Sequence, residues 1–116
     1  MTIYETLGQA IAGEEPVALA TVIEGPNIGA KLLVGPGRPV LGTLGDPDLD
    51  RVAERDARGE LEAGTNTVRH YGAHGEARES TVGVFIESFA PPPQMFIFGA
   101  VDFTGALVKV AKVLGY

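Results

Sequence analysis

The chain has 116 residues, 45% of them hydrophobic and 21% charged, a balance that fits one globular core with at most the beginning of a second unit. Fifteen acidic against nine basic side chains give a net charge of -6, the wrong sign for a nucleic-acid footprint, and the absence of cysteine excludes disulfides, thiolate metal sites and a cysteine nucleophile. No stretch approaches the run of about eighteen apolar residues that spans a bilayer, and the opening MTIYETLGQA has no signal-peptide pattern, so no membrane role and a cytoplasmic location are the default expectations.

Thr2 and Glu5 make the spacing of a capping box, and Ile3, Leu7, Ala10 and Ile11 follow at helical intervals until Gly13, predicting a helix over Ile3 to Ala12. Val17 to Ile23 is a run of small and β-branched apolar residues without alternation, as a strand covered on both faces would be. Gly29 to Val34 and Pro39 to Leu44 are two further short strands, expected to pair antiparallel across the turn Gly35-Pro36-Gly37-Arg38. Asp46-Pro47 then supplies an N-cap and a proline at the first helical position. Leu49, Val52, Ala53, Ala57 and Leu61 recur on one face up to Gly64.

Thr65 to Tyr71 reads as a weak strand and Thr81 to Phe89 as a strong one, with a loop from Gly72 to Ser80 between them that is expected to be mobile. Ala90-Pro91-Pro92-Pro93 can neither continue a ladder nor enter a helix interior, which marks a linker. Beyond it, Gln94 to Phe98, the turn Gly99-Ala100 and the stripe Phe103, Ala106, Leu107, Val110, Ala111 and Leu114 read as strand, turn and helix. The expectation is an α+β domain over residues 1–90 whose mixed sheet is covered by two helices, a proline linker at 91–93, and the first βα unit of a Rossmann-like domain at 94–116.

Several short stretches, taken in order, carry a family resemblance: Ala18-Leu19-Ala20-Thr21-Val22, Gly29-Ala30-Lys31-Leu32-Leu33-Val34, Gly42-Thr43-Leu44, Val84-Phe85-Ile86-Glu87, the proline linker, and Phe96-Ile97-Phe98-Gly99-Ala100. The chain resembles the N-terminal domain of the XdhC/CoxI family of molybdenum-enzyme maturation factors. The resemblance implies binding of the molybdenum cofactor (molybdopterin) and help in its sulfuration and insertion into xanthine dehydrogenase or carbon monoxide dehydrogenase type enzymes. The family's Ser-Gly-Gly-Cys-Val-Glu motif corresponds here to Gly45-Asp46-Pro47-Asp48-Leu49-Asp50, so Asp48 stands at the cysteine position. Its later Cys-Gly-Gly, counted back without gaps, falls on Arg78-Glu79-Ser80. Both thiols are missing, and thiol-dependent steps do not carry over. In the nucleotide fingerprint only Gly99 survives, because Val101 and Thr104 stand where the second and third glycines permit pyrophosphate approach and tight helix packing.

The residues singled out for cofactor contact are therefore Lys31, Asp48, Arg78 and Gly99, all by resemblance. An Asp48–Arg78 ion pair across the former dithiol position is weighed against two independent solvated charges, and contact of Lys31 with an anionic pterin against plain solvent exposure. Gly25-Pro26-Asn27-Ile28-Gly29 reads as an anion cradle or an ordinary turn. His70 and His74 have a helical metal-ligand spacing, but Gly72 lies between them in strand end and loop, favouring surface histidines. Asp46, Asp48 and Asp50 favour helix capping over a cation site. No Ser-His-Asp or paired-carboxylate arrangement can be argued, so independent catalysis is not expected. The leading expectation is an accessory or maturation factor with a molybdenum hydroxylase client. The alternative is a scaffold or homo-oligomerisation domain that buries a strand edge and the C-terminal helix face against a second copy.

Overall fold

The structure is a computed structural model that describes residues 2–90; the proline linker, the βα unit expected over 94–116 and Gly99 lie outside the described residues. The elements are α1 (Ile3–Ala12), β1 (Val17–Glu24), β2 (Lys31–Val34), β3 (Leu41–Thr43), α2 (Pro47–Ala63), β4 (Thr67–Tyr71) and β5 (Val82–Phe89). The sheet runs in the order β3-β2-β1-β5-β4. Every ladder in it is antiparallel, so the expected mixed sheet narrows to an antiparallel one within the expected α+β class.

β1 lies at the centre with a helix on each side, and this explains its unbroken apolar run. Ala18, Ala20 and Val22 face α2 together with Leu32 and Val34 of β2, Val82, Val84 and Ile86 of β5, and Leu49, Ala53, Ala57 and Leu61 of the helix. Val17, Leu19 and Leu33 face the other way, onto Ala10, Ile3 and Leu7 of α1. Ala53 and Ala57 are wholly buried, as are Ala18 and Ala20 across from them in the same cluster. Small residues on both sides let the helix backbone approach the sheet closely, while Leu49 and Leu61 fill the wider ends.

Thr2 caps α1 by accepting a hydrogen bond from the Glu5 amide at 3.0 Å, as the capping-box spacing predicts. Ile11 departs from the expected stripe, since it is 50% exposed. The sheet-facing side centres on Ile3, Thr6, Leu7 and Ala10, and at 100° per residue Ile11 falls roughly a quarter turn away from that centre. α2 ends at Gly64 in the left-handed region (φ 72°), with the Gly64 and Thr65 amides returning to the Leu61 and Glu60 carbonyls at 3.2 and 3.0 Å.

Three strands begin two residues later than their composition predicts, β4 among them, at Thr67 instead of Thr65. Before β2, the Gly29 amide bonds to the Val22 carbonyl at 2.8 Å and the Ala30 amide to the Asn27 carbonyl at 3.0 Å, so residues 27–30 close a turn before the ladder resumes. β3 holds only Leu41 to Thr43, because Pro39 has no amide to give to the ladder and Leu44 turns inward to the core.

Candidate functional site

Three loops meet at one end of the sheet on the α2 side: residues 25–29 between β1 and β2, the turn between β3 and α2, and residues 72–80 between β4 and β5. The turn is held by carboxylates. Asp46 Oδ1 accepts from the Asp48 and Leu49 amides at 2.9 and 3.0 Å, capping α2. Asp50 Oδ1 accepts from the Leu44 amide at 2.7 Å and Oδ2 from the Thr43 hydroxyl at 2.6 Å, so it ties the helix back to β3. Asp48 neither caps nor tethers; its carboxylate is largely exposed and among the described residues meets only Arg51, at 3.5 Å. Among the described residues no group of three or more His, Asp or Glu side chains has the arrangement to hold a metal ion.

The 72–80 loop is tied to this turn. Its first half is closed by bonds from the Gly72 amide to the Glu76 carbonyl at 2.9 Å and from the His74 amide to Glu76 Oε1 at 2.7 Å. Gly75 (φ 87°) sits directly on α2, where a β-carbon would stand 3.0 Å from Val52 Cγ2 and 3.1 Å from the Asp48 carbonyl. His74 Nδ1 lies 2.6 Å from Asp46 Oδ2, the oxygen that the helix cap leaves free. The hydrogen bond and charge of Asp46 raise the His74 pKa above 6.5. The Leu49 amide first, and His74 second, lower that of Asp46 below 3.8. Glu76 and Glu79 turn toward each other over Gly72, and that contact raises the Glu79 pKa.

The residues singled out from the sequence are not gathered into one site. The loop carrying Arg78 does lie against the turn carrying Asp48, yet these two side chains form no ion pair: Asp48 is with Arg51, and Arg78 lines a separate cleft between α2 and β4. Lys31 is on the opposite face of the sheet, paired in register with Thr21. Its Nζ donates to Thr21 Oγ1 at 3.2 Å and stands 5.8 Å from the centre of the Tyr4 ring, so it is half-buried under α1 and not simply solvated. His70 and His74 do not share a face either. His70 lies beside Glu24 (3.7 Å) across Gly83, on the side away from α2.

Loop 25–29 is a packed turn. A β-carbon on Gly25 would run into the Thr81 carbonyl, and one on Gly45 into the Asn27 amide, so the first loop is wedged between the start of β5 and the turn before α2. The three loops enclose a shallow cleft of about 190 Å³ lined by Asn27, Gly45, Asp46, Leu49, His74 and Val82.

Sequence reasoning missed the polar network where α2 crosses β4. Tyr71 is 5% exposed and donates its hydroxyl to Asp56 Oδ2 at 2.6 Å; burial first, and Asp56 second, raise its pKa above the usual tyrosine range. Arg69 donates to Glu60 Oε1 at 2.9 Å and stands 3.9 Å from Asp56, and the bond to Glu60 is the main cause of its raised pKa. Thr65 and then Arg69 hold the Glu60 pKa below 4.5. The signal was present: Asp56 and Glu60 are four apart on the helix, and Arg69 and Tyr71 two apart on the strand, so each pair shares a face.

The model of the XdhC and CoxI family matches residues 10–72, a little over half of the chain. The chain belongs to this family. The match begins in α1 and runs through β4, so it takes in Asp48 and ends before Arg78 to Ser80. A comparison with curated proteins finds no match. For an XdhC/CoxI family member, the role that membership implies is maturation of molybdenum enzymes. No helix of the described residues is long and apolar enough to cross a membrane.

Proposed function

We propose that this chain serves molybdenum-enzyme maturation as a non-catalytic accessory domain, handling the molybdenum cofactor or its insertion into clients of the xanthine dehydrogenase or carbon monoxide dehydrogenase type without thiol chemistry. The family match across residues 10–72 carries the reading. The donor set carries its last clause. The resemblance puts the family's first cysteine position at Asp48, whose exposed carboxylate lies next to the capping Asp46 and the tethering Asp50. These are hard oxygen donors, and none can form a persulfide or give molybdenum a soft sulfur ligand. A thiolate-held metal and a sulfur relay do not fit this site, and no such step is derived. Contact with the cofactor's anionic groups then falls to cationic side chains. Arg78 on the α2 side and Lys31 under α1 are the candidates, and Gly99 belongs to the region outside the described residues.

The test is equilibrium titration of the purified chain with molybdopterin, in parallel with association with a purified cofactor-free molybdenum hydroxylase. Saturable cofactor binding, or a stable complex with the client, is expected. Failure of both ends the reading. A scaffold or homo-oligomerisation role is favoured by a different observation: α1 makes its main contacts with β1 and β2, and on the same face of the sheet Val68 of β4 is left 46% exposed beside its ladder partner, the half-covered Phe85. A solution mass near twice 12.1 kDa would support that reading, and a monomer would remove it.

A further inference from the structure

The second cleft at this end of the molecule, about 370 Å³ in volume, lies between α2, β4 and the 72–80 loop. Its charged wall is unusual for a chain of net charge -6: Arg55, Arg69 and Arg78 converge on it with a single carboxylate, Asp56. That carboxylate is already taken up. It accepts the Tyr71 hydroxyl at 2.6 Å and lies 3.3 Å from Arg55 Nε and 3.9 Å from Arg69. Arg69 is in turn fixed by Glu60. The floor of the cleft is thus a rigid, hydrogen-bonded array, and the unspent positive charge is on its rim.

Arg78 supplies most of that charge. Among the described residues Arg38, Arg51, Arg55, Arg58 and Arg69 each pair with a carboxylate, whereas Arg78 pairs with none. It also occupies the left-handed region (φ 66°), which a side chain of its kind rarely adopts. The loop that presents it is anchored on α2 by Gly75. From the opposite wall Arg55 extends over the same opening, 74% exposed and holding Asp56 only through Nε. Its terminal nitrogens are left without a protein partner among the described residues.

We infer that this cleft is a binding site for a small phosphate-bearing molecule, gripped between the guanidinium groups of Arg55 and Arg78 above the Arg69–Asp56–Tyr71 floor. Planar guanidinium forks match phosphate oxygens two at a time, and two of them on facing walls suit a phosphomonoester or diphosphate better than a single carboxylate. The site shares Arg78 with the molybdenum reading, but its test is separate from that reading. It would stand if the chain bound no pterin, and would fall independently of it.

Inorganic pyrophosphate is the probe, titrated into the full chain and followed by amide and arginine side-chain NMR shifts. Saturable shifts confined to Val52, Arg55, Gly75, Ala77 and Arg78 are expected, with a dissociation constant below about 1 mM. Arg55→Ala and Arg78→Ala should each weaken binding about tenfold, because each removes one charge-assisted fork. Arg58→Ala takes the same charge from α2 outside the cleft and should leave binding within about twofold. Both rim arginines are exposed, and far-UV circular dichroism should show the variants folded. Absence of saturable shifts overturns the inference, and so does equal weakening by all three substitutions, which would mean diffuse attraction to charge and no site.

Discussion

Replacing Tyr71 by Phe removes one hydroxyl and nothing else from the junction of α2 and β4. The ring stays in its place, so no cavity opens, and the loss is the bond to Asp56 Oδ2 at 2.6 Å. A buried hydrogen bond to a charged acceptor contributes about 1.5–3 kcal/mol. The Asp56 side chain is 14% exposed and keeps Arg55 at 3.3 Å and Arg69 at 3.9 Å, so the lower half of that range applies, about 1.5–2 kcal/mol. For a unit of this size the midpoint of thermal unfolding should fall by roughly 6–16 °C. Urea titration followed by far-UV circular dichroism measures the change directly, and the midpoint should move with the slope unchanged. Tyr4→Phe is the control: that residue is 66% exposed and should shift stability by less than about 0.5 kcal/mol. The pH dependence adds a second readout. The Tyr71 pKa is raised in the folded state, so above pH 10 the unfolded chain binds fewer protons and stability declines; Tyr71→Phe should flatten that decline. A Tyr71→Phe chain no less stable than Tyr4→Phe, with the alkaline decline unchanged, would refute the network as a source of stability.

Three further outcomes follow from the same geometry. His74 should titrate above pH 6.5, and Asp46→Asn, which keeps the helix cap but not the charge, should bring its NMR midpoint back down; an unmoved midpoint would mean that the 2.6 Å contact does not persist in solution. In the unsubstituted chain the stabilisation from His74 is complete below pH 6.5 and is lost as pH rises through its raised folded value, while that from Asp46 is present above pH 3.8 and is lost as pH falls through its lowered one. Ala57→Leu forces a larger side chain into the wholly buried helix-to-sheet contact and should cost about 1–3 kcal/mol in urea titration, whereas a neutral result would mean that α2 stands farther off the sheet. Gly75→Ala meets both a positive φ and the contacts with Val52 and Asp48, and should cost about 1–2 kcal/mol and speed amide exchange in the 72–80 loop; unchanged exchange would show that the loop is not anchored there.

Where local chemistry decides the structure, the sequence was legible. The bounds of α1 and α2 follow from Thr2, Gly13, Asp46-Pro47 and Gly64, because capping and proline geometry act within a few residues. The unbroken apolar run of β1 correctly implied cover on both faces. What escaped depends on contacts distant in sequence. Nothing local to Lys31 says that it lies on the other side of the sheet from Asp48, since that follows from strand order and from the parity of the ladder with Thr21. The Asp56–Tyr71 bond needs α2 and β4 to be brought together first. Nor can an ungapped count show that Arg78 turns to the α2 and β4 cleft, because the direction of its side chain is set by a left-handed backbone.

The role proposed for the chain rests on cofactor handling without a thiol, and restoring the thiol tests that most directly. Molybdopterin is titrated side by side into the unsubstituted chain and into Asp48→Cys, which places sulfur on the exposed first turn of α2, where the resemblance puts the family's first cysteine. Saturable binding by the unsubstituted chain, changed by less than about tenfold in the variant, is the expected result. Binding that appears only once the cysteine is present would contradict it.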